Sequence, residues 1–136
     1  MSGRVLRKQR ALIVDDSEVL RRLIEMCLRP VGFEIATAGC GREALEVAAS
    51  FEPDLILLDI GLPDMTGWDV LAALQDSEIP AKVLILSGYE DVHTEAKRLG
   101  ADGALVKPFR NNELREVATK MVAPAFSDTA EASTPA

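Results

Sequence analysis

The sequence predicts an α/β fold, a doubly wound parallel sheet with helices on both faces. Three observations predict it. Four short apolar runs each stop at a polar residue: Ala11–Val14 at Asp15 and Asp16, Leu55–Leu58 at Asp59, Val83–Leu86 at Ser87, and Ala104–Val106 at Lys107. Runs of this kind read as strands buried on both faces, as parallel pairing requires. The segments between them carry the helical period, and the connections are short, so strands and helices alternate as βα units.

The first strand covers about residues 10–15. The first helix runs from Ser17 to about Arg29, with Leu20, Leu23, Ile24, Cys27 and Leu28 on one stripe. Asp16 or Ser17 can cap it, and Pro30 with Gly32 ends it. The second strand is Phe33 to about Ala38. The second helix is about Arg42–Phe51, with Ala44, Leu45, Ala48 and Phe51 inward and Pro53 as its stop. The third strand follows at about 54–59. A loop from Gly61 to Gly67 leads into a third helix at about 68–76, whose stripe is Val70, Leu71 and Leu74. The fourth strand is about 82–87, and the fourth helix about 91–99, closed by Gly100. The fifth strand is about 103–107. The fifth helix is about 110–122, with Leu114, Val117, Ala118 and Met121 inward. Five such units fit the flavodoxin-like strand order 2-1-3-4-5, with a switch point between strands 1 and 3. Asp15, Asp16 and Asp59 would sit there.

Composition sets the frame. A chain of 136 residues predicts one domain: a core at 10–122, a solvated arm at 1–9 and a disordered tail or linker start at 123–136. A formal charge of −7 argues against direct nucleic-acid binding. No apolar run approaches the about 20 residues of a membrane span, and the N-terminus has no apolar leader, so no membrane insertion is expected. Cys27 falls on the first helix's stripe and Cys40 in a glycine-flanked turn, which fits a reducing, cytoplasmic setting.

In an open parallel sheet, ligands bind beyond the carboxyl ends of the strands. There the predicted fold gathers Asp15, Asp16, Asp59, Ser87 and Lys107. Three carboxylates at one point repel unless a cation neutralises them, and hard oxygen ligands suit Mg²⁺ or Mn²⁺. A carboxylate beside such a metal can act as a nucleophile toward phosphorus. Lys107 supplies a positive charge and Ser87 a hydroxyl for phosphoryl oxygens. Taken singly, each is ordinary: an Asp pair caps helices, a serine ends turns, a lysine is solvated. The joint placement carries the inference, and Asp59, at the end of a buried strand, is costly without a partner.

With these residues in view, the chain resembles the receiver domains of two-component response regulators over about residues 10–122. The resemblance rests on the pair Asp15-Asp16, on Asp59 with Leu62-Pro63 and Gly67, on Ser87-Gly88, on Gly100-Ala101-Asp102 and on Lys107-Pro108-Phe109. It implies that Asp59 accepts a phosphoryl group from a phosphohistidine of a histidine kinase or phosphotransfer protein. It implies Mg²⁺ held by Asp15, Asp16, Asp59 and the backbone carbonyl of Gly61, with Ser87 and Lys107 on the phosphoryl oxygens. It implies a cis Lys107–Pro108 bond, for which proline lowers the cost. By the same resemblance a downstream protein is met through helix 4, strand 5 and helix 5. The chain is not an enzyme on this reading; it catalyses only its own aspartyl phosphorylation and dephosphorylation.

One departure bears on switching. Receivers usually carry Tyr or Phe three residues before the lysine; here that position is Ala104. The switch then rests on movement of the Ser87 loop alone, or on Tyr89 as the moving aromatic. Tyr89 could equally shield the phosphoryl site. His93 is expected to be exposed and inert, and Trp68 to pack over the end of helix 3. The expected function is a stand-alone receiver, either a diffusible output or a phosphorelay carrier. The alternatives are a receiver piece of a longer regulator, a degenerate receiver that only binds protein, and a Mg²⁺-dependent phosphatase. The last wants an Asp-x-Asp pair, which Asp59-Ile60-Gly61 lacks.

Overall fold

The computed structural model describes residues 8–123. The arm expected at 1–9 lies outside the described residues except for its last two positions, and the tail does so beyond residue 123.

Five parallel strands form one sheet: β1 (Arg10–Val14), β2 (Glu34–Ala38), β3 (Leu55–Asp59), β4 (Lys82–Ser87) and β5 (Gly103–Val106). Their order is β2-β1-β3-β4-β5, as the sequence predicts. The helices are α1 (Glu18–Leu28), α2 (Gly41–Phe51), α3 (Gly67–Asp76), α4 (Val92–Leu99) and α5 (Asn111–Met121). Alternate strand residues feed two cores. Leu12, Val14, Ile56, Leu58 and Ile85 pack with Ala44 and Ala48 of α2, Val70, Leu71 and Leu74 of α3, and Val92 and Ala96 of α4. Ala11, Ile13, Leu55, Leu57, Leu84 and Leu105 pack with Ile24, Cys27 and Leu28 of α1 and Leu114 and Ala118 of α5. All four apolar residues of β3 before Asp59 are buried. At about 1.5–3 kcal/mol for each fully buried large side chain, β3 anchors the sheet.

Register aligns the strand ends. Val14 pairs with Leu58, Asp59 with Leu86, and Ser87 with Val106. The polar residues that follow the apolar runs therefore meet at one edge.

The helix ends follow local chemistry. Of the two cap candidates for α1, Ser17 takes the role, accepting the Leu20 N–H at 3.1 Å. Pro30 lies in a short 3-10 turn, Arg29–Val31, closed by Gly32 at φ 105°. Thr66 and Asp69 form a reciprocal capping box at the start of α3. Gly100, at φ 90°, closes α4.

Some expectations need correction. Leu23 is 54% exposed, because it lies at the margin of the α1 stripe beside Val19 and Met26, which are also exposed. β5 ends at Val106, not Lys107, and β1 at Val14, not Asp15. Cys40 occupies the N-cap position of α2, in extended backbone.

Candidate functional site: the acidic cluster at the carboxyl edge of the sheet

The connections after β1, β3 and β5 bring Asp15, Asp16, Asp59 and Lys107 together. One carboxylate oxygen from each aspartate lies within 4.8 Å of the others. Lys107 Nζ donates to Asp59 Oδ1 at 2.9 Å and to Asp15 Oδ2 at 3.1 Å. Asp15 and Asp59 are buried, while Asp16 is exposed. The other Asp15 oxygen accepts the Ser17 N–H at 2.8 Å, which fixes its carboxylate relative to α1. The Lys107 N–H donates to the Ser87 carbonyl at 2.7 Å, so the ends of β4 and β5 are held side by side. The Lys107–Pro108 bond is cis.

Charge at the cluster is unbalanced. Burial raises the pKa of Asp59; the Lys107 hydrogen bond opposes that rise, and the neighbouring Asp15 and Asp16 charges add to it. Burial alone would lower the Lys107 pKa, but the hydrogen bonds and charges of Asp59 and Asp15 outweigh it and raise the value. One ammonium thus faces three carboxylates. Closely set oxygen donors with residual negative charge fit a hard divalent cation, Mg²⁺ or Mn²⁺.

A stability effect follows. The folded-state pKa of Asp59 is raised, so its ionisation costs stability once pH exceeds that value, and the cost is absent well below its ordinary value. Asp59→Asn is expected to raise the thermal midpoint by a few degrees at pH 7 in chelator. The gain should shrink in acid and in saturating Mg²⁺. Thermal unfolding of both proteins under the three conditions checks this.

The loop between β3 and α3 frames the cluster. Gly67 N–H donates to the Ile60 carbonyl at 2.7 Å, and a Cβ on Gly67 would lie 2.4 Å from the Asp59 carbonyl oxygen. Gly61 pairs with Thr66 in an isolated antiparallel bridge, and a Cβ there would lie 4.0 Å from Asp59 Oδ2. The backbone of Gly61 therefore borders the acidic cluster. Asp64 clamps the loop to α2, accepting the Gly41 and Arg42 N–H groups at 2.7 and 2.9 Å. Those bonds, Arg42 first, lower the Asp64 pKa. A depressed acid stabilises the fold above its unfolded pKa and loses that contribution as pH falls through its folded value. The difference in midpoint between wild type and Asp64→Ala should therefore stay level from pH 7 to about 4 and close below it. A pH series of melting curves reads this out.

Sequence reasoning missed two groups near the cluster. Asp64 lay in the loop already marked, but its capping of a helix 22 or more residues earlier leaves no local signal. Arg21 Nη1 donates to the Asp15 carbonyl at 2.6 Å; its position one turn after Ser17, on α1, was the available clue. The remaining candidates are placed as follows. Ser87 is buried at the end of β4, and its Oγ accepts the Tyr89 N–H at 3.0 Å. Tyr89 is 72% exposed. Ala104 is buried on β5 opposite Ile85 and does not reach the acidic cluster through any described contact. Trp68 is half-buried in the first turn of α3, and His93 is exposed on α4.

Comparison with known proteins agrees with this geometry. The sequence model of the response regulator receiver domain matches residues 11–119. The cell cycle transcriptional regulator CtrA of Caulobacter vibrioides is 37% identical over 107 residues, covering 77% of this chain and 46% of CtrA. The chain thus spans about half the length of the curated relatives it matches. Among solved structures, the signal receiver domain of a LuxO repressor from Vibrio parahaemolyticus superposes with a TM-score of 0.80 at 30% identity, covering 85% of this chain and 91% of that one. The response regulator TrrA of Thermotoga maritima, in complex with Mg²⁺–BeF, gives 0.76 at 34% identity, covering 83% and 98%. The chain belongs to the response regulator receiver domain family of two-component signalling.

Proposed function

We propose that this receiver is a phosphoacceptor whose acceptor is Asp59. The observation that carries the reading is the Lys107 ammonium held between Asp59 and Asp15, beside a third carboxylate, at the edge where β1, β3 and β5 end. An Asp59 oxygen attacks the phosphorus of a phosphohistidine on a histidine kinase or phosphotransfer protein. A phosphorus–oxygen bond forms as the phosphorus–nitrogen bond breaks, and the imidazole leaves with the electron pair and is protonated. Lys107 neutralises one phosphoryl oxygen and Ser87 donates its hydroxyl to another. Asp15, Asp16, Asp59 and the Gly61 carbonyl would hold Mg²⁺, with Mn²⁺ as a substitute. When bound, the ion supplies charge neutralisation to phosphoryl oxygens. The Mg²⁺–BeF complex of TrrA supports this by similarity.

Ser87 links the site to the surface. Its hydroxyl accepts the Tyr89 N–H, so drawing it toward a phosphoryl group would release Tyr89 and the turn before α4. The downstream partner is met on α4, β5 and α5, and it must prefer one state, since equal affinity for both transmits nothing. The protein works in the cytoplasm and catalyses only its own phosphorylation and dephosphorylation. A second reading, a receiver within a longer regulator, is favoured by the 46% share of CtrA that the chain covers.

Incubation with acetyl phosphate and Mg²⁺ followed by intact-mass analysis tests the proposal. A single phosphoryl adduct, lost in chelator and in Asp59→Asn, is expected. Absence of an adduct under conditions that label another receiver would overturn it and favour a module that binds partners unmodified.

A further inference from the structure

We propose that the cavity behind Ser87 receives an arginine side chain of a partner protein and that phosphorylation of Asp59 tightens its hold. This rests on the phosphoacceptor reading above. The cavity, about 220 Å³, opens between the β3–α3 loop and the start of α4. Trp68 and Tyr89 give it aromatic walls, Asp91 and Glu95 give it carboxylates, and Ser87, which follows the Leu86 that pairs with Asp59, lines it too.

Two observations define the occupant. Asp91 stands at the N-cap position of α4, yet its side chain makes no capping bond and no ion pair with any described residue. Glu95 is paired with Arg98, so the uncompensated charge at the rim is that of Asp91. An apolar side chain seated here would strip water from a carboxylate and leave it unpaired. An anion would be repelled. A planar guanidinium stacks on aromatic rings and hydrogen-bonds a carboxylate at once, which an ammonium does less well. The chemistry on the walls selects arginine.

The pocket's place supplies the coupling. A phosphoryl group on Asp59 carries about 1.5–2 negative charges where the carboxylate carried one, a net gain of about 0.5–1 close to Ser87. The attraction for a cation in the cavity rises, and the hydroxyl of Ser87, a lining residue, is drawn toward the phosphoryl oxygens. A partner arginine thereby binds the two states unequally.

The test is an NMR titration of the full chain with the capped peptide Ala-Ala-Arg-Ala-Ala and its citrulline counterpart, in Mg²⁺ with and without beryllofluoride. Saturable shifts at the Trp68 indole N–H and at the amides of Tyr89, Asp91 and Glu95 are expected with arginine and not with citrulline. Affinity should rise about threefold to tenfold with beryllofluoride at low salt. Asp91→Asn should weaken binding while leaving acetyl phosphate labelling of Asp59 unchanged. Equal shifts from both peptides, shifts centred elsewhere, or an affinity indifferent to beryllofluoride bound at Asp59 would overturn the proposal. If beryllofluoride leaves the amides around Asp59 unmoved, the phosphoacceptor reading fails instead, and the arginine pocket is judged on the unmodified protein.

Discussion

Replacing Lys107 with methionine should slow labelling of Asp59 by acetyl phosphate about 10²–10³-fold, the usual cost of removing one preorganised charge from a developing oxyanion. Methionine keeps the length and apolar stem of the side chain and deletes the ammonium alone. That ammonium is the only cation paired with the Asp15 and Asp59 carboxylates among the described residues. Without it, two buried carboxylates face each other unneutralised. The metal-free protein should lose about 1–3 kcal/mol, less than the usual penalty for breaking a buried pair because Lys107 is 27% exposed. Mg²⁺ binding should survive, since the cluster becomes more negative, and saturating Mg²⁺ should restore much of the lost stability. Labelling kinetics by intact mass, with denaturant unfolding in chelator and in Mg²⁺, separates the effects. Slow labelling with unimpaired metal binding is the expected pattern. Normal labelling would remove Lys107 from the chemistry.

Gly67→Ala should unfold more easily than wild type by about 2–3 kcal/mol, at the upper end of overpacking costs. The added methyl would meet the Asp59 carbonyl oxygen at 2.4 Å and Ile60 Cα at 2.8 Å. Both are backbone atoms at the end of β3, so neither can turn aside as a side chain would. The β3–α3 loop must shift, and the end of β3 at Asp59 is displaced with it. Labelling should fall along with stability. Gly88→Ala is the control, because nothing lies within 4 Å of a Cβ there, and it should change the denaturation midpoint little. Equal midpoints for the two variants would contradict the close approach.

What could be read in the sequence follows from how local each signal is. β1, β3, β4 and β5 are continuous apolar runs, so their existence and burial were plain, and short connections fixed a parallel order. The candidate residues Asp15, Asp59, Ser87 and Lys107 were legible because each directly follows or ends such a run. Long-range polar contacts were not. Lys107 and Asp15 lie 92 residues apart, and their pairing depends on strand order and register together. The Asp64 clamp on α2 likewise depends on how two loops meet. Leu23 misled because periodicity gives the centre of a helix stripe better than its margin, and only the partner surface decides how wide the buried arc is. Ala104 shows the opposite limit. Its burial against Ile85 is visible, yet the effect of a missing ring belongs to the difference between two states.

The most direct measurement is peptide mapping after reaction with acetyl phosphate and Mg²⁺ and reduction with borohydride, which converts an acyl phosphate into an alcohol. Homoserine is expected at position 59 and at no other aspartate. Homoserine at Asp15, Asp16 or elsewhere, or an unaltered Asp59 where another receiver is reduced in parallel, would contradict it.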